Sequence, residues 1–310
     1  MALNILYRGP AERGQYWQTL FTQNLPQLNW HTWPDVADKD AIDMLVCWIP
    51  PREYQQDYPN LKVLFSIGAG VDQLKVNEVP EHIQIVRMLD PGIQQGMTEF
   101  VSMSVLNIHR NTLAYVNMNK QAQWQQLPQM RTAEVRVGIM GLGNLGQGAA
   151  TGLLNLGFKV SGWSKTAKQL SAVECYSGQE QLTAFLQQTD ILVCLLPLTD
   201  ETRGILNHHT LSCLPKGASV INVGRGEHIV EQDLLERLDQ GHLRYAILDV
   251  FAKEPLDIDH AYWQHPQIWV TPHIAAITQN DSAGQALLDN VQRYLNNQAM
   301  LGAVERALGY

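Results

Sequence analysis

Three short segments of this 310-residue chain each end an apolar run beside a residue able to bind or move charge. Arg225 lies in GRG after ASVINV, Glu254 in FAKEPL after YAILDV, and His273 in TPHIAA after IWV. Apolar runs of this length read as buried parallel strands, and open α/β sheets place their ligands beyond the carboxyl ends of such strands. Any one of these residues alone would be an ordinary surface group. A guanidinium, a carboxylate and an imidazole at three strand ends together supply the materials of anion binding and proton transfer. A fourth strand end carries different chemistry, because VRVGIM runs directly into GLGNLG and sets Gly141, Gly143, Asn144, Leu145 and Gly146 between a strand and a helix. The first glycine permits the tight turn, the second lets a pyrophosphate approach the backbone, and the third lets helix and strand pack closely. The pattern predicts a dinucleotide site.

A dinucleotide fold of the commonest kind places an acid for the adenosine ribose about 20 residues further on. Here that place holds Ser164, Lys165 and Thr166, with Lys168 just beyond. A carboxylate would repel a ribose 2′-phosphate, whereas a hydroxyl and an ammonium can bind it. The expected cofactor is NADP(H), with NAD(H) possible because lysine is a point charge rather than a planar fork.

These residues need elements to hold them. In the first hundred residues, NILY (4–7), MLVCW (44–48), VLFSIG (63–68) and IQIVRM (83–88) predict strands. From Gly96 to Lys120 apolar residues recur at helical spacing, with Thr98 as a candidate cap. A second series follows, comprising VRVGIM, KVSGW, ECYS, ILVCLL, ASVINV, YAILDV and IWVTP, with helical patterns between most of them, and a final helical pattern runs from Thr278 through Tyr294. The fold class expected is α/β, two Rossmann-like domains with doubly wound parallel sheets. The nucleotide-binding domain, residues 98–275, is inserted in a discontinuous substrate domain of residues 1–97 plus 276–310, with the ligand site in the cleft between them.

The net charge of −8 argues against a nucleic-acid partner, which needs a basic field. No run approaches the roughly 18 apolar residues of a membrane span, and the start lacks a targeting pattern, so a cytoplasmic protein is expected. Cys47, Cys175, Cys194 and Cys213 form no CxxC pair and read as buried reduced thiols. His208-His209 has no matching ligand cluster and reads as a surface pair at a helix start; no metal site is expected.

The order GLGNLG, LLPLT, NVGRG, LDVFAKEPL, TPHIAA resembles the D-isomer-specific 2-hydroxyacid dehydrogenase family. VCWIPP, SIGAGVD, GWSKT, VGRGEHIVEQDLL, WQHP and the terminal GY are similar to its branch that reduces glyoxylate and hydroxypyruvate. The resemblance implies a homodimer, two crossing helices joining the domains, and a small 2-oxo acid as substrate. It implies that His273 is the acid/base, Glu254 its partner, and Arg225 the residue that binds substrate and polarises its carbonyl. Reducing a 2-oxo acid takes a hydride at carbon and a proton at oxygen; an imidazole suits the proton donor, and a carboxylate beside it favours the charged ring. Arginine's fork addresses carboxylate and carbonyl together. By the same resemblance Gly68, Ala69 and Gly70 form the carboxylate-binding loop, Trp48 walls the pocket, Asp249 lies near the nicotinamide carboxamide, and Leu196, Pro197 and Val223 flank the cofactor. Lys165 stands where that branch commonly has Arg, which weakens the expected preference for NADPH. Two alternatives stay open: a dehydrogenase of another D-2-hydroxy acid using NADH, and a nicotinamide-sensing binding protein on the same fold.

Overall fold

A parallel strand covered by helices on both faces has no solvent side, which is why Ile, Leu and Val fill the strand segments of this chain. The computed structural model describes residues 2–306, so the terminal Gly309-Tyr310 pair lies outside the described residues. The chain opens with β1 (Asn4–Arg8), α1 (Ala11–Asn24), β2 (Asn29–Thr32), β3 (Met44–Cys47), α2 (Tyr54–Asp57), β4 (Val63–Ser66) and β5 (Gln84–Val86). These strands pair in parallel in the order β2-β1-β3-β4-β5. Every residue of β3 and β4 is buried. Strand β2 is an addition to the sequence expectation: NWHT lies at the sheet edge with both ends exposed, so it needs no apolar run.

Two helices, α3 (Pro91–His109) and α4 (Thr112–Lys120), replace the single helix expected from Gly96 to Lys120. The break is at Asn111, whose φ of 59° is left-handed, a region Asn enters more readily than most residues. Its side chain holds the break by donating to the Pro128 carbonyl at 3.1 Å and accepting from the Arg244 guanidinium. Thr98 is not the cap. It sits inside α3, where its hydroxyl donates to the Gln94 carbonyl at 2.9 Å, and Pro91 opens the helix, where a missing N–H costs nothing.

The second series gives β6 (Arg136–Met140), α5 (Asn144–Asn155), β7 (Lys159–Ser164), β8 (Glu174–Ser177), α6 (Gly178–Gln187), β9 (Ile191–Cys194), α7 (His208–Cys213), β10 (Ala218–Asn222), α8 (Glu231–Asp239), β11 (Leu243–Leu248) and β12 (Ile268–Val270). All seven strands are parallel, in the order β12-β11-β10-β9-β6-β7-β8. The sheet is doubly wound: from β6 the chain builds outward through β7 and β8, then crosses to β9 and builds the other way. Alternate residues of β9 feed cores on opposite faces, Leu192 and Cys194 one, Ile191 and Val193 the other. The last helix, α9 (Asn280–Leu295), returns to the first sheet's unit, where the Trp17 indole N–H of α1 donates to the Asn280 carbonyl at 2.7 Å.

The chain divides into two compact units, Met1–Ile93 with Ile277–Tyr310, and Gln94–Ala276. Among the described residues no helix is long and apolar enough to cross a membrane. No cysteine is disulfide-bonded. Cys47 and Cys194 are buried, and Cys175 and Cys213 only half-buried, short of the full burial expected. Burial pushes the Cys47 thiol up to about 12, which keeps it protonated and inert.

Candidate active site

In the Gln94–Ala276 unit the strand order decides which loops meet. β10, β11 and β12 are neighbours, so Arg225, Glu254 and His273, each following one of them, emerge side by side at the carboxyl edge of one sheet. The Gly141 and Leu196 loops follow β6 and β9, the pair between which the winding reverses, where such folds bind their ligands.

His273 Nδ1 lies 2.8 Å from Glu254 Oε2. The other carboxylate oxygen of Glu254 accepts the Phe251 N–H at 3.0 Å, so the acid is tethered before it meets the ring. A carboxylate can only accept, which places a proton on Nδ1 and leaves Nε2 as the nitrogen that exchanges one. The backbone of His273 is left-handed, with φ 54°. That conformation costs on the order of 1–3 kcal/mol for a residue other than glycine and persists only where its surroundings impose it. Here they do: His273 N–H donates to the Asp249 carbonyl at 2.8 Å, and the Asp249 carboxylate accepts from Thr271 Oγ1 at 2.6 Å and from the Ile274 and Ala275 N–H groups at 2.8 Å each. Asp249 is fully buried, and the structure places it as the anchor of the loop that carries His273.

Arg225 is half-buried, and one guanidinium nitrogen donates to the Gly224 carbonyl at 2.8 Å. Asn222 fixes its backbone by donating to the Arg225 carbonyl at 2.8 Å and accepting the Gly224 N–H at 3.2 Å. A Cβ on Gly226 would sit 2.0 Å from the Phe251 carbonyl carbon, so this glycine lets the Arg225 loop lie directly on the loop that leads to Glu254.

The nucleotide loop separates its glycines by role. Gly141 has φ 103°, and a Cβ on Gly146 would lie 1.9 Å from the Gly141 carbonyl oxygen, so the first makes the turn and the third the close packing. A Cβ on Gly143 would meet nothing within 4 Å, which leaves the side from which a pyrophosphate would approach the N-terminal amides of α5 open. Asn144 is exposed and Leu145 half-buried; Leu196 and Val223 are buried and Pro197 half-buried beside them in the strand-end series. The residues present fit a dinucleotide.

At the end of β7 the three predicted phosphate contacts are not equivalent. Ser164 is largely buried and its hydroxyl donates to the Thr166 carbonyl at 2.8 Å, so that proton is already committed. Lys165 is exposed and pairs with Glu201 at 2.7 Å, an interaction that a separation of 36 positions hides from a local reading. Thr166 is exposed.

The Met1–Ile93, Ile277–Tyr310 unit holds the remaining candidates. After β4, Ser66 Oγ donates to the Gly70 carbonyl at 2.8 Å and accepts the Gly68 N–H at 3.3 Å, curling Gly68, Ala69 and Gly70 into a tight loop. The Ala69 and Gly70 amides donate to no protein acceptor among the described residues, an arrangement suited to an anion. Trp48 is half-buried, with its indole over Gly68, where a Cβ would come within 2.6 Å of the ring.

Two features were missed in the sequence. Packing of α7 on α8 brings Asp233 and Glu236 to His208, with potential ligand atoms within 4.8 Å of one another, contrary to the expectation of no matching cluster. The Arg237 guanidinium lies 3.1 Å from Glu236 and 3.4 Å from His208 Nδ1, so a cation already occupies this network. The second is His228, fully buried behind Arg225. Its position in the polar run VGRGEH gives no local sign of burial, which comes from contact with the loop after β9.

The glycine loop and the Glu254–His273 pair along one sheet edge define a dinucleotide-binding α/β protein equipped for proton transfer. The family model for the D-isomer specific 2-hydroxyacid dehydrogenase, NAD binding domain, matches residues 102–275, and the chain belongs to that family. It is 37% identical over 314 residues to the glyoxylate/hydroxypyruvate reductase A of Serratia proteamaculans, covering 99% of this chain and all of the relative. Among solved structures it is similar to a D-isomer specific 2-hydroxyacid dehydrogenase from Xanthobacter autotrophicus in complex with NADPH and MES, with TM-score 0.95, 35% identity and both chains fully covered. It is similar also to the NADPH-dependent glyoxylate/hydroxypyruvate reductase of Sinorhizobium meliloti in complex with NADP and sulfate, with TM-score 0.92, 35% identity and full coverage of both chains.

Proposed function

We propose that this chain reduces glyoxylate to glycolate and hydroxypyruvate to D-glycerate with NADPH. The observation that carries the reading is the 2.8 Å bond between His273 Nδ1 and Glu254, which leaves Nε2 as a proton donor at the ligand-binding edge of a dinucleotide sheet. The names of the full-length relatives support the substrate class, and the bound NADPH and NADP of the structural neighbours support the cofactor.

When bound, the nicotinamide supplies the hydride for the carbonyl carbon of the 2-oxo acid. The chain's own residues do the rest. The Gly141–Gly146 loop and the first amides of α5 hold the pyrophosphate, Leu196, Pro197 and Val223 flank the adenosine and the nicotinamide ribose, and Lys165 and Thr166 take the 2′-phosphate. The Ala69 and Gly70 amides hold the substrate carboxylate, and Trp48 restricts the pocket to small side chains. Arg225 binds the substrate and steadies the charge that grows on its carbonyl oxygen. His273 Nε2 then donates its proton to that oxygen, and Glu254 holds the ring in place through Nδ1. The discontinuous unit is the substrate domain and the Gln94–Ala276 unit the cofactor domain.

A homodimer in the cytoplasm belongs to this proposal. Met103, Val116, Trp124 and Met130 stand exposed on α3, α4 and the segment that follows, apolar area of the kind a second subunit covers. Sedimentation equilibrium tests the dimer.

The test of function is initial-rate kcat/KM for glyoxylate and hydroxypyruvate, each with NADPH and with NADH. Turnover favouring NADPH supports the reading. Turnover of bulkier 2-oxo acids with NADH alone would favour the second reading, an NADH enzyme, for which the Glu201 carboxylate at Lys165 speaks. Because Lys165 is exposed while the Ser164 proton is engaged, Lys165→Ala is the cleaner probe of cofactor choice. It is expected to weaken NADPH about fivefold with NADH within about twofold, read as Kd by fluorescence titration; equal losses would remove Lys165 from the 2′-phosphate site.

A further inference from the structure

We propose that His228 is a positioning residue for substrate binding, whose imidazole clamps the Arg225 backbone to the loop after β9 and so fixes where the guanidinium meets the substrate. The inference rests on the reading of Arg225 as the substrate-binding arginine. His228 closes a single 3-10 turn, Gly226–His228, and is 0% exposed. Its Nδ1 accepts the Arg225 N–H at 3.0 Å. A ring nitrogen accepts only while it carries no proton, so the ring hydrogen is on Nε2, which lies 3.3 Å from the Pro197 carbonyl and donates to it.

One buried ring therefore joins the loop of the substrate arginine to the loop assigned to the cofactor. Gly224 makes room for it: a Cβ there would stand 2.9 Å from His228 Nδ1 and 3.1 Å from the Leu196 carbonyl oxygen. On the other side of Arg225, Asn222 donates to its carbonyl at 2.8 Å. With N–H and C=O both held, the Arg225 backbone stays at φ −142° and ψ 152°, and the origin of its side chain is set. An apolar residue at 228 would fill the space but leave the Arg225 N–H without its acceptor and the Pro197 carbonyl with the Thr202 hydroxyl alone, at 2.7 Å.

The clamp is also sensitive to acid. The groups that face the ring electrostatically are Cys194 of β9 and Arg225. Burial works against charge on the ring, the Cys194 sulfur and the Pro197 carbonyl favour it, Arg225 opposes it, and the balance raises the pKa of His228 above the ordinary histidine value. Protonation puts a hydrogen on Nδ1 and expels the Arg225 N–H, so the clamp opens as pH falls through that raised pKa.

Three variants test the clamp. His228→Asn keeps a carbonyl oxygen near the Nδ1 position, His228→Gln places its amide near Nε2, and His228→Leu keeps only bulk. For each, glyoxylate KM and kcat at saturating NADPH, NADPH Kd, the thermal midpoint, and the affinity of the NADPH-loaded protein for oxalate are measured. Leu and Gln are expected to raise KM and weaken oxalate on the order of tenfold, with kcat and NADPH Kd within about threefold, while Asn stays within about twofold of wild type. Wild-type KM should rise toward acid, and His228→Asn should lose that rise. Unchanged KM and oxalate affinity in Leu and Gln, equal behaviour of Asn and Gln, or NADPH affinity falling in step with oxalate affinity would each overturn the proposal. Should His228→Leu fail to fold, the Asn and Gln pair decides. A wild type that turns over no 2-oxo acid would sink the functional reading, and the oxalate series would still decide the clamp.

Discussion

His273→Gln is expected to lower kcat for glyoxylate by about 10²–10⁴-fold while leaving NADPH affinity within about twofold. Gln can reproduce a hydrogen bond to Glu254, but it cannot carry a transferable proton. The substitution is also clean for the backbone, since at φ 54° Gln meets the same left-handed cost that His already bears, and the Asp249 carbonyl still accepts the residue's N–H. Loss of turnover would therefore report the missing proton donor rather than a displaced loop. Pre-steady-state loss of reduced-nicotinamide absorbance separates the chemical step from product release. A variant with near wild-type kcat would mean that the proton comes from another group, and the Glu254–His273 pair would keep only a structural part.

Most strands of both sheets were legible because they are short apolar runs that must be buried on two faces, while β8, the polar edge strand ECYS, was read from its place in the strand-helix series. β2 escaped because an edge strand such as NWHT pairs on one side only and can be polar. The helix break at Asn111 escaped because helical spacing continues across it; the left-handed residue is held there by Pro128 and Arg244, the latter 133 residues away. At the candidate site, the residue types and their places at strand ends could be read locally, whereas contacts could not. Glu254 meets His273 because β11 and β12 are neighbours, a fact of sheet order. Lys165 meets Glu201, and His228 meets Pro197, across gaps of 36 and 31 residues with no periodicity to betray them. Resemblance assigned Asp249 to the cofactor, while the structure spends both its oxygens on its own chain.

That difference makes Asp249→Asn the second large prediction. The Asp249 carboxylate, fully buried, accepts three hydrogen bonds: Thr271 Oγ1 and the Ile274 N–H reach one oxygen, and the Ala275 N–H the other. Asn can keep an oxygen toward the first two only by turning its NH₂ toward the Ala275 N–H, donor against donor. Losing one charge-assisted bond and leaving a buried donor unpaired costs about 2–3 kcal/mol, read as lost unfolding free energy in urea. The loop that relaxes is the one that holds His273 left-handed, so kcat should fall as well, on the order of 10²-fold, by the misplacement that a positioning loop prevents. A role confined to the nicotinamide carboxamide gives the opposite pattern, because the amide oxygen of Asn is a weaker acceptor than a carboxylate. Stability would then stay near wild type, and the loss would fall on NADPH affinity. A weakened fold with a collapsed kcat and intact NADPH binding would assign Asp249 to the His273 loop, and make one buried carboxylate the reason a strained histidine can stand ready at the end of β12.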